Sequence, residues 1–277
     1  MVGGAPVDSR NRASEARLDP MMATPALRRF SGLRLVRLAA GVLVVLSTMP
    51  TRAGGADAPA ARSPAAVRSL QATTSTGRQV AYFVPASVGS EALPLLVFLH
   101  GSGGRGVNTL LRLRPLAERE RFVVVAPDSV SVAGVWLVDS RSQGATEDHR
   151  HVMSCLREVL AQRDVRVDSR QVLVAGFSVG GAAAGIIASR EEAFTAFAVL
   201  HGHVPTESLG TRRVRGWLSA GDRDRQRPPA VVQALAGELT SRLAFPEIET
   251  RVFAADHALG DEELSALAAW WLRRERR

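Results

Sequence analysis

The sequence predicts an α/β fold with a mostly parallel central sheet and helices on both faces. Three observations carry that prediction. Short apolar runs alternate along the chain with segments of helical period, the order of strand and helix that builds a parallel sheet. Two of those runs, Leu95–Leu99 and Gln171–Ala175, end in glycine-rich turns, and the second turn leads into the small-residue helix Ala182–Ala188. The hydrophobic fraction of 46% supplies a core of the size such a fold needs.

The elements follow in order. Ser69–Thr74 and Arg78–Val84 read as a hairpin about Ser75-Thr76-Gly77. Leu95–Leu99 is a strand, a helix follows near Thr109–Glu120, and Phe122–Val125 is the next strand. Residues 129–145 have no clear period, contain Trp136, and are placed over the crevice at the strand ends. A helix over Glu147–Arg163 puts Val152, Cys155, Leu156, Val159 and Leu160 on one face, so Cys155 is read as core. Gln171–Ala175 is a strand with its helix after it, and Phe197–Leu200 and Val214–Ser219 are strands. A helix at Ala230–Leu243 precedes the last strand, Ile248–Ala254, and a final helix from Asp261 sets Leu264, Leu267, Ala268, Trp271 and Leu272 on one face.

Residues 1–53 are expected to be an N-terminal extension with an export signal, 54–66 a Gly/Ala/Pro-rich linker, and 67–277 the folded domain. Arg28, Arg29, Arg34 and Arg37 precede the apolar run Leu38–Leu46, and Thr51-Arg52-Ala53 offers a cleavage site. The run falls short of the roughly 20 residues that span a bilayer, so export is expected, with no stable membrane span after cleavage. Sec and twin-arginine routes both stay open, as does a start at Met21 or Met22.

The formal charge of +8 is concentrated at the ends. Residues 1–53 hold eight arginines against three acids, and the last five residues hold four arginines and one acid. The body between them is about neutral, which argues against a nucleic-acid footprint. All 35 basic residues are arginine, a coding bias without functional meaning, and the basic tail reads as a solvated, frayed helix end. The single cysteine excludes an intrachain disulfide.

The chemistry is expected at Gly176-Phe177-Ser178-Val179-Gly180-Gly181, a G-x-S-x-G-G turn between a strand and a helix. Such a turn needs strained backbone angles and neighbours without bulk, and it lifts the serine hydroxyl clear of the sheet. A serine hydroxyl is a weak nucleophile. It needs a base, a group to orient the base, and donors for a developing oxyanion. Six histidines are present, His100, His149, His151, His201, His203 and His257; only His257 follows the acidic loop Ala220–Pro228 and so fits the order Ser…Asp…His. Asp222 and Asp224 are both candidates for the orienting acid. His100-Gly101-Ser102-Gly103-Gly104 lets backbone N–H groups turn inward without side-chain clash.

With the H-G-x-G-G loop, Ala126-Pro127-Asp128 after a strand, G-x-S-x-G-G, the Asp222–Asp224 loop and the late histidine, the chain resembles an α/β-hydrolase over about Gln79 to Arg274. It is most similar to secreted esterases of the polyhydroxybutyrate depolymerase, feruloyl esterase and phospholipase/carboxylesterase kind. The resemblance implies a catalytic triad of Ser178, His257 and an aspartate. The related pattern G-x-x-D-x-x-V-P selects Asp224 over Asp222, although Arg227 replaces the usual apolar residue before the proline. It also implies an oxyanion hole from the N–H of Ser102 or Gly103 with that of Val179, an acyl-enzyme mechanism, and a small-molecule or polymeric ester as substrate. An acyltransferase, a serine peptidase or a non-catalytic binding protein on the same fold are the alternatives.

Other features are weighed against ordinary structural roles. Trp136 is either a substrate-stacking wall or a core residue under the crevice segment. His201 and His203, two apart on an extended segment, share a face and either line the pocket or make plain hydrogen bonds. No third ligand accompanies them, and in Glu147–His151 positions i and i+2 diverge on a helix, so no metal is expected. Glu147 and Asp148 read as first-turn acids, and the resemblance implies that Asp148 is a candidate to face the crevice. No nucleotide-binding glycine fingerprint is found, and no cofactor is expected.

Overall fold

The structure, a computed structural model, describes residues 67–71, 78–86, 91–131, 133–137, 146–163 and 165–273. These fall within the compact unit Ala58–Arg277. The expected signal run, linker, hairpin turn at Ser75-Thr76-Gly77 and basic tail after Arg273 lie outside the described residues, as do residues 138–145 of the crevice segment.

Eight strands form one sheet: β1 (Val67–Gln71), β2 (Gln79–Phe83), β3 (Leu93–Leu99), β4 (Val123–Pro127), β5 (Val167–Phe177), β6 (Ala196–Leu200), β7 (Arg215–Gly221) and β8 (Ile248–Phe253). The spatial order is β1-β2-β4-β3-β5-β6-β7-β8. β1 pairs antiparallel with β2 and β2 with β4, and the remaining neighbours are parallel. The chain steps from β3 to β4 on one side, then back across β3 to β5 on the other. That reversal opens a crevice at the carboxyl ends of β3 and β5, where ligands of open α/β sheets bind.

Side-chain alternation divides the core into two layers. Leu95, Val97 and Leu99 of β3 face one side, with Val152, Cys155 and Leu156 of α2 (Glu147–Leu160), Ala183 and Ile187 of α3 (Val179–Ala188), and Val232 and Leu235 of α4 (Pro229–Gly237). Leu96 and Phe98 face the other, with Leu110 and Leu113 of α1 (Gly106–Glu120) and Leu264, Leu267 and Trp271 of α5 (Asp261–Trp271).

The helix boundaries differ from the sequence expectations for local reasons. α1 begins three residues early because the Asp128 carboxylate, at the end of β4, accepts the Gly106 N–H at 2.6 Å. The expected helix to Arg163 ends at Leu160. The helix expected to run to Leu243 is α-helical only to Gly237, and a π-helical turn, Glu238–Arg242, completes it.

Two glycines bracket the tolerance of this frame. A Cβ at Gly106 would lie 2.1 Å from the Ala126 carbonyl oxygen, backbone that does not yield, whereas a Cβ at exposed Gly237 would meet nothing within 4 Å. Gly106→Ala is expected to destabilise by about 2 kcal/mol or more, and Gly237→Ala to stabilise by roughly 0.5–1 kcal/mol. Urea unfolding checks both, and a neutral Gly106→Ala would refute the close approach of α1 to β4.

Candidate active site

β5 ends in Phe177 and α3 begins at Val179, so Ser178 makes the entire connection. Its backbone lies at φ 55° and ψ −118°, a left-handed conformation that a residue with a Cβ rarely adopts. Strain of this kind costs about 1–3 kcal/mol and persists only where the surroundings impose it. Here the Ser178 N–H donates to the Leu200 carbonyl at 2.8 Å, and the Ser178 carbonyl accepts the Gly181 N–H at 3.0 Å. A Cβ at Gly176 would sit 2.2 Å from Gly180, and a Cβ at Gly180 would sit 2.3 Å from the Leu99 carbonyl oxygen. Only glycine fits either position, so the turn closes directly against the end of β3.

The loops leaving β7 and β8 bring two side chains to that serine. His257 Nε2 lies 3.0 Å from Ser178 Oγ, and His257 Nδ1 lies 2.7 Å from Asp224 Oδ2. The nitrogen facing a carboxylate carries the proton, so Nδ1–H donates to Asp224 and Nε2 is left to accept from the Ser178 hydroxyl. Asp224 is buried, and its Oδ1 accepts the N–H groups of Gln226 and Arg227, each at 2.8 Å. Burial opposes ionisation of this carboxyl. The Arg227 N–H, the His257 and His201 imidazoles and the Gln226 N–H outweigh it and hold its pKa down at about 2. Asp222 is exposed instead and takes the Ala255 N–H and the Arg223 guanidinium. An open cleft bordered by Arg223, Arg225, Pro228 and Asp256 reaches His257.

The glycine loop after β3 lies against the turn. A Cβ at Gly101 would touch the Phe177 ring at 2.7 Å, and Phe177 also stacks beside the His257 ring at 4.9 Å. His100 is pinned behind the loop: Nδ1–H donates to the Gly101 carbonyl at 2.8 Å and Nε2 accepts the Ser129 N–H at 3.1 Å. Burial keeps His100 below its ordinary pKa. The Asp128 carboxylate ties Arg105 and Gly106 from below. Of the two loop N–H groups held as alternatives for the oxyanion beside that of Val179, the one of Gly103 is already donated to the Gly134 carbonyl at 3.0 Å. Gly103 is therefore corrected from a donor to a fixed point of the loop. The exposed Ser102 makes no such bond among the described residues, and Val179, first residue of α3, has an N–H with no intrahelical acceptor.

Several expectations are corrected by burial. Trp136 is not a substrate wall: it is 4% exposed, packs on the His100 ring at 4.9 Å, and donates its indole N–H to the His100 carbonyl at 2.8 Å. Asp148 faces the segment over the crevice, not open space, and its two oxygens take the N–H groups of Val130 and Leu137 at 2.8 and 2.6 Å. His201 and His203 do not share a face. His201 has φ 51°, which breaks the extended run, so His201 is buried and His203 exposed. In Glu147–His151 the side chains diverge, His149 to Glu191 and His151 to Cys155. Burial pushes the Cys155 thiol up to about 12, so it is not a nucleophile at neutral pH.

Sequence reasoning missed Glu263 on α5, which is buried and hydrogen-bonded to both His201 and Ser219. It is one of three first-turn acids, Asp261, Glu262 and Glu263, and nothing in the sequence separates it from the other two. Among the described residues one set, His201, Asp224 and His257, converges closely enough to consider a cation. Its nitrogens stand 2.7 and 2.8 Å from the same carboxylate oxygen. That is N–H···O spacing, tighter than the about 3.4 Å between ligands around tetrahedral zinc.

A depressed carboxyl pKa contributes stability above its unfolded value, and the contribution is lost as pH falls through the folded value. The stability difference between the native protein and Asp224→Asn is therefore expected to shrink as pH drops from about 4 toward about 2. Chemical unfolding across that window checks it; a constant difference would mean that Asp224 is not held ionised by the fold.

Residues 78–246 match the family described as Esterase PHB depolymerase. No curated protein matches the chain in sequence. Among solved structures, S-formylglutathione hydrolase (FrmB) of Staphylococcus aureus aligns at 14% identity and TM-score 0.57, covering 76% of this chain and 99% of its own. A carboxylesterase of Bacillus cereus aligns at 19% identity and TM-score 0.51, covering 69% and 92%. A ferulic acid esterase of Anaeromyces mucronatus, solved with ferulic acid, aligns at 12% identity and TM-score 0.53, covering 76% and 91%. At these identities the likeness establishes the fold, which is that of the α/β-hydrolases.

Proposed function

This chain belongs to the Esterase PHB depolymerase family, and from that premise we propose that it is a serine carboxylic-ester hydrolase acting through Ser178, His257 and Asp224. The observation that carries the reading is the 3.0 Å contact between Ser178 Oγ and His257 Nε2, made by residues 79 positions apart. His257 takes the Ser178 proton as the hydroxyl attacks the ester carbonyl, and Asp224 fixes the tautomer and stabilises the resulting cation. The imidazolium returns its proton to the leaving alcohol, and an acyl-enzyme remains. Water, activated by the same imidazole, then releases the acid.

The oxyanion is received by the N–H of Val179 at the positive end of α3 and by that of Ser102, since the Gly103 N–H is engaged with Gly134. Each such donor is worth about 3 kcal/mol of barrier. The substrate class is an ester, small or polymeric. The arginine-flanked apolar run Leu38–Leu46 supports export by an N-terminal signal. Among the described residues no helix is long and apolar enough to cross a membrane.

Ser178→Ala is expected to reduce kcat on p-nitrophenyl acetate by about 10⁴-fold or more with the unfolding midpoint unchanged, and to abolish labelling by a fluorophosphonate probe. Turnover at the native rate would end this reading. The kcat/KM profile should fall on the acid side, because a protonated base cannot accept the Ser178 proton; a rate independent of pH is incompatible with a histidine base. A panel of p-nitrophenyl, feruloyl and hydroxybutyrate-oligomer esters ranks the substrates.

A further inference from the structure

Behind Asp224 lies a second histidine. His201 is fully buried at the end of β6, anchored by its N–H to the Ser219 carbonyl at 2.8 Å. Its Nδ1 is 2.8 Å from Asp224 Oδ2, the same oxygen that holds His257, and its Nε2 is 3.3 Å from Glu263 Oε2. Glu263 is also buried. Its Oε1 accepts the Ser219 hydroxyl at 2.6 Å, and its Oε2 accepts the Gly260 N–H at 3.4 Å. The groups around the His201 ring are thus Asp224 from the β7 loop, Glu263 from α5, the His257 ring at 5.8 Å from the β8 loop, and the Phe177 ring at 5.6 Å.

Each ring nitrogen of His201 faces a carboxylate oxygen. A neutral imidazole has one donor and one acceptor, and its bare nitrogen would point lone pair to lone pair at one of them. We propose that His201 is held as a buried imidazolium between Asp224 and Glu263 and, through the shared Asp224 oxygen, sets how strongly Asp224 favours the cation of His257. His201 and Glu263 are positioning residues: neither reaches Ser178. The inference rests on the triad reading above.

Charge balance explains why both partners are present. Asp224 and Glu263 with cationic His201 sum to one negative charge, the same as an aspartate alone. Burial disfavours the His201 cation, but Glu263 and then Asp224 outweigh it and raise its pKa. The cation draws on the oxygen that His257 also uses, so it moderates the pull on His257, and Glu263 keeps the cation in place. Loss of His201 alone leaves Asp224 at His257 and Glu263 behind it with no cation between them, and His257 then holds its proton to higher pH.

The test reads His201 directly and through the rate. In the native protein, heteronuclear NMR of the imidazole nitrogens should show His201 with both ring N–H groups protonated across the pH range where ester hydrolysis rises. His201→Gln should move the acid-side midpoint of kcat/KM upward by about one pH unit. His201→Gln with Glu263→Gln should bring it back toward the native value, because both charges are removed. A support of shape alone would lower kcat or the unfolding temperature without moving the midpoint. A singly protonated His201 in the native protein, or a His201→Gln profile superimposed on the native one, overturns the proposal; if that variant fails to fold, the native NMR measurement decides. A double variant no different from His201→Gln overturns the compensating part of Glu263. Fluorophosphonate labelling and the Ser178→Ala rate are read in parallel. An active Ser178→Ala sinks the esterase reading while leaving the His201 spectrum to stand or fall separately.

Discussion

The Asp224 carboxylate is the constraint around which this end of the molecule is arranged. Its two oxygens accept four N–H groups: His257 and His201 at one, the Gln226 and Arg227 backbone at the other. A buried carboxylate stays ionised only when fully hydrogen-bonded, and this one is. The partners come from three elements that are distant in sequence but adjacent in the sheet. β6, β7 and β8 pair in parallel, with Leu200 beside Ser219 and Gly221 beside Phe253, so their carboxyl ends finish at one level. The loops that leave them need reach only a few residues to meet. The sheet register, set by side-chain alternation into two apolar layers, is therefore what allows a charged cluster to form with little loop entropy lost.

The serine turn is the complementary constraint, built from close backbone approach in place of charge. Gly176, Gly180 and Gly181 let α3 press against β5 and the end of β3 at distances that leave no room for a Cβ. The helix that follows is rich in small residues, with Ala183, Ala184 and Ala188 buried. That closeness holds Ser178 at its positive φ. It also presents the start of α3 to the His100–Gly104 loop, whose own position is fixed from below by Asp128 and from behind by Trp136 and Gly134. Rigidity at both ends of the crevice is what a preorganised electrostatic site requires.

The strands, the serine turn and the late histidine were legible in the sequence because their signals are local. An apolar run, a glycine pair or a residue order survives without knowledge of distant partners. The Asp224–Asp222 choice was not local. Both residues sit in one alternating charged loop, and only the family pattern separated them; in the structure Asp224 is buried and Asp222 exposed. The misreadings have the same origin. Trp136 stood in an aperiodic segment, so its burial depended on His100, 36 residues earlier. His201 and His203 obeyed period two on paper, but the left-handed backbone at His201 turned one inward and left the other in solvent. Gly103 carried a free N–H in any sequence reading, and its acceptor, Gly134, belongs to a segment with no period to place it. Glu263 carried no distinguishing signal, since a first-turn acid is favoured by the helix dipole whether or not it also meets a histidine.

That double service of Glu263 links the last helix to the crevice. One oxygen reaches back to the Gly260 N–H, the half of a capping box that starts α5, and the same oxygen faces His201. Only the residues from Ala258 to Gly260 separate His257 from α5, so the helix start sets where the histidine loop can lie. α5 is in turn seated by Leu264, Leu267 and Trp271 in the apolar layer that it shares with α1. A buried ionic cluster is a poor source of stability by itself, because desolvation offsets most of the attraction. Here its worth is geometric. Removing any one member takes a partner away from a charge buried in the interior, a penalty that disfavours alternative placements of the loop. The apolar packing of α5 supplies the stability, and the cluster fixes the orientation in which His257 meets Ser178.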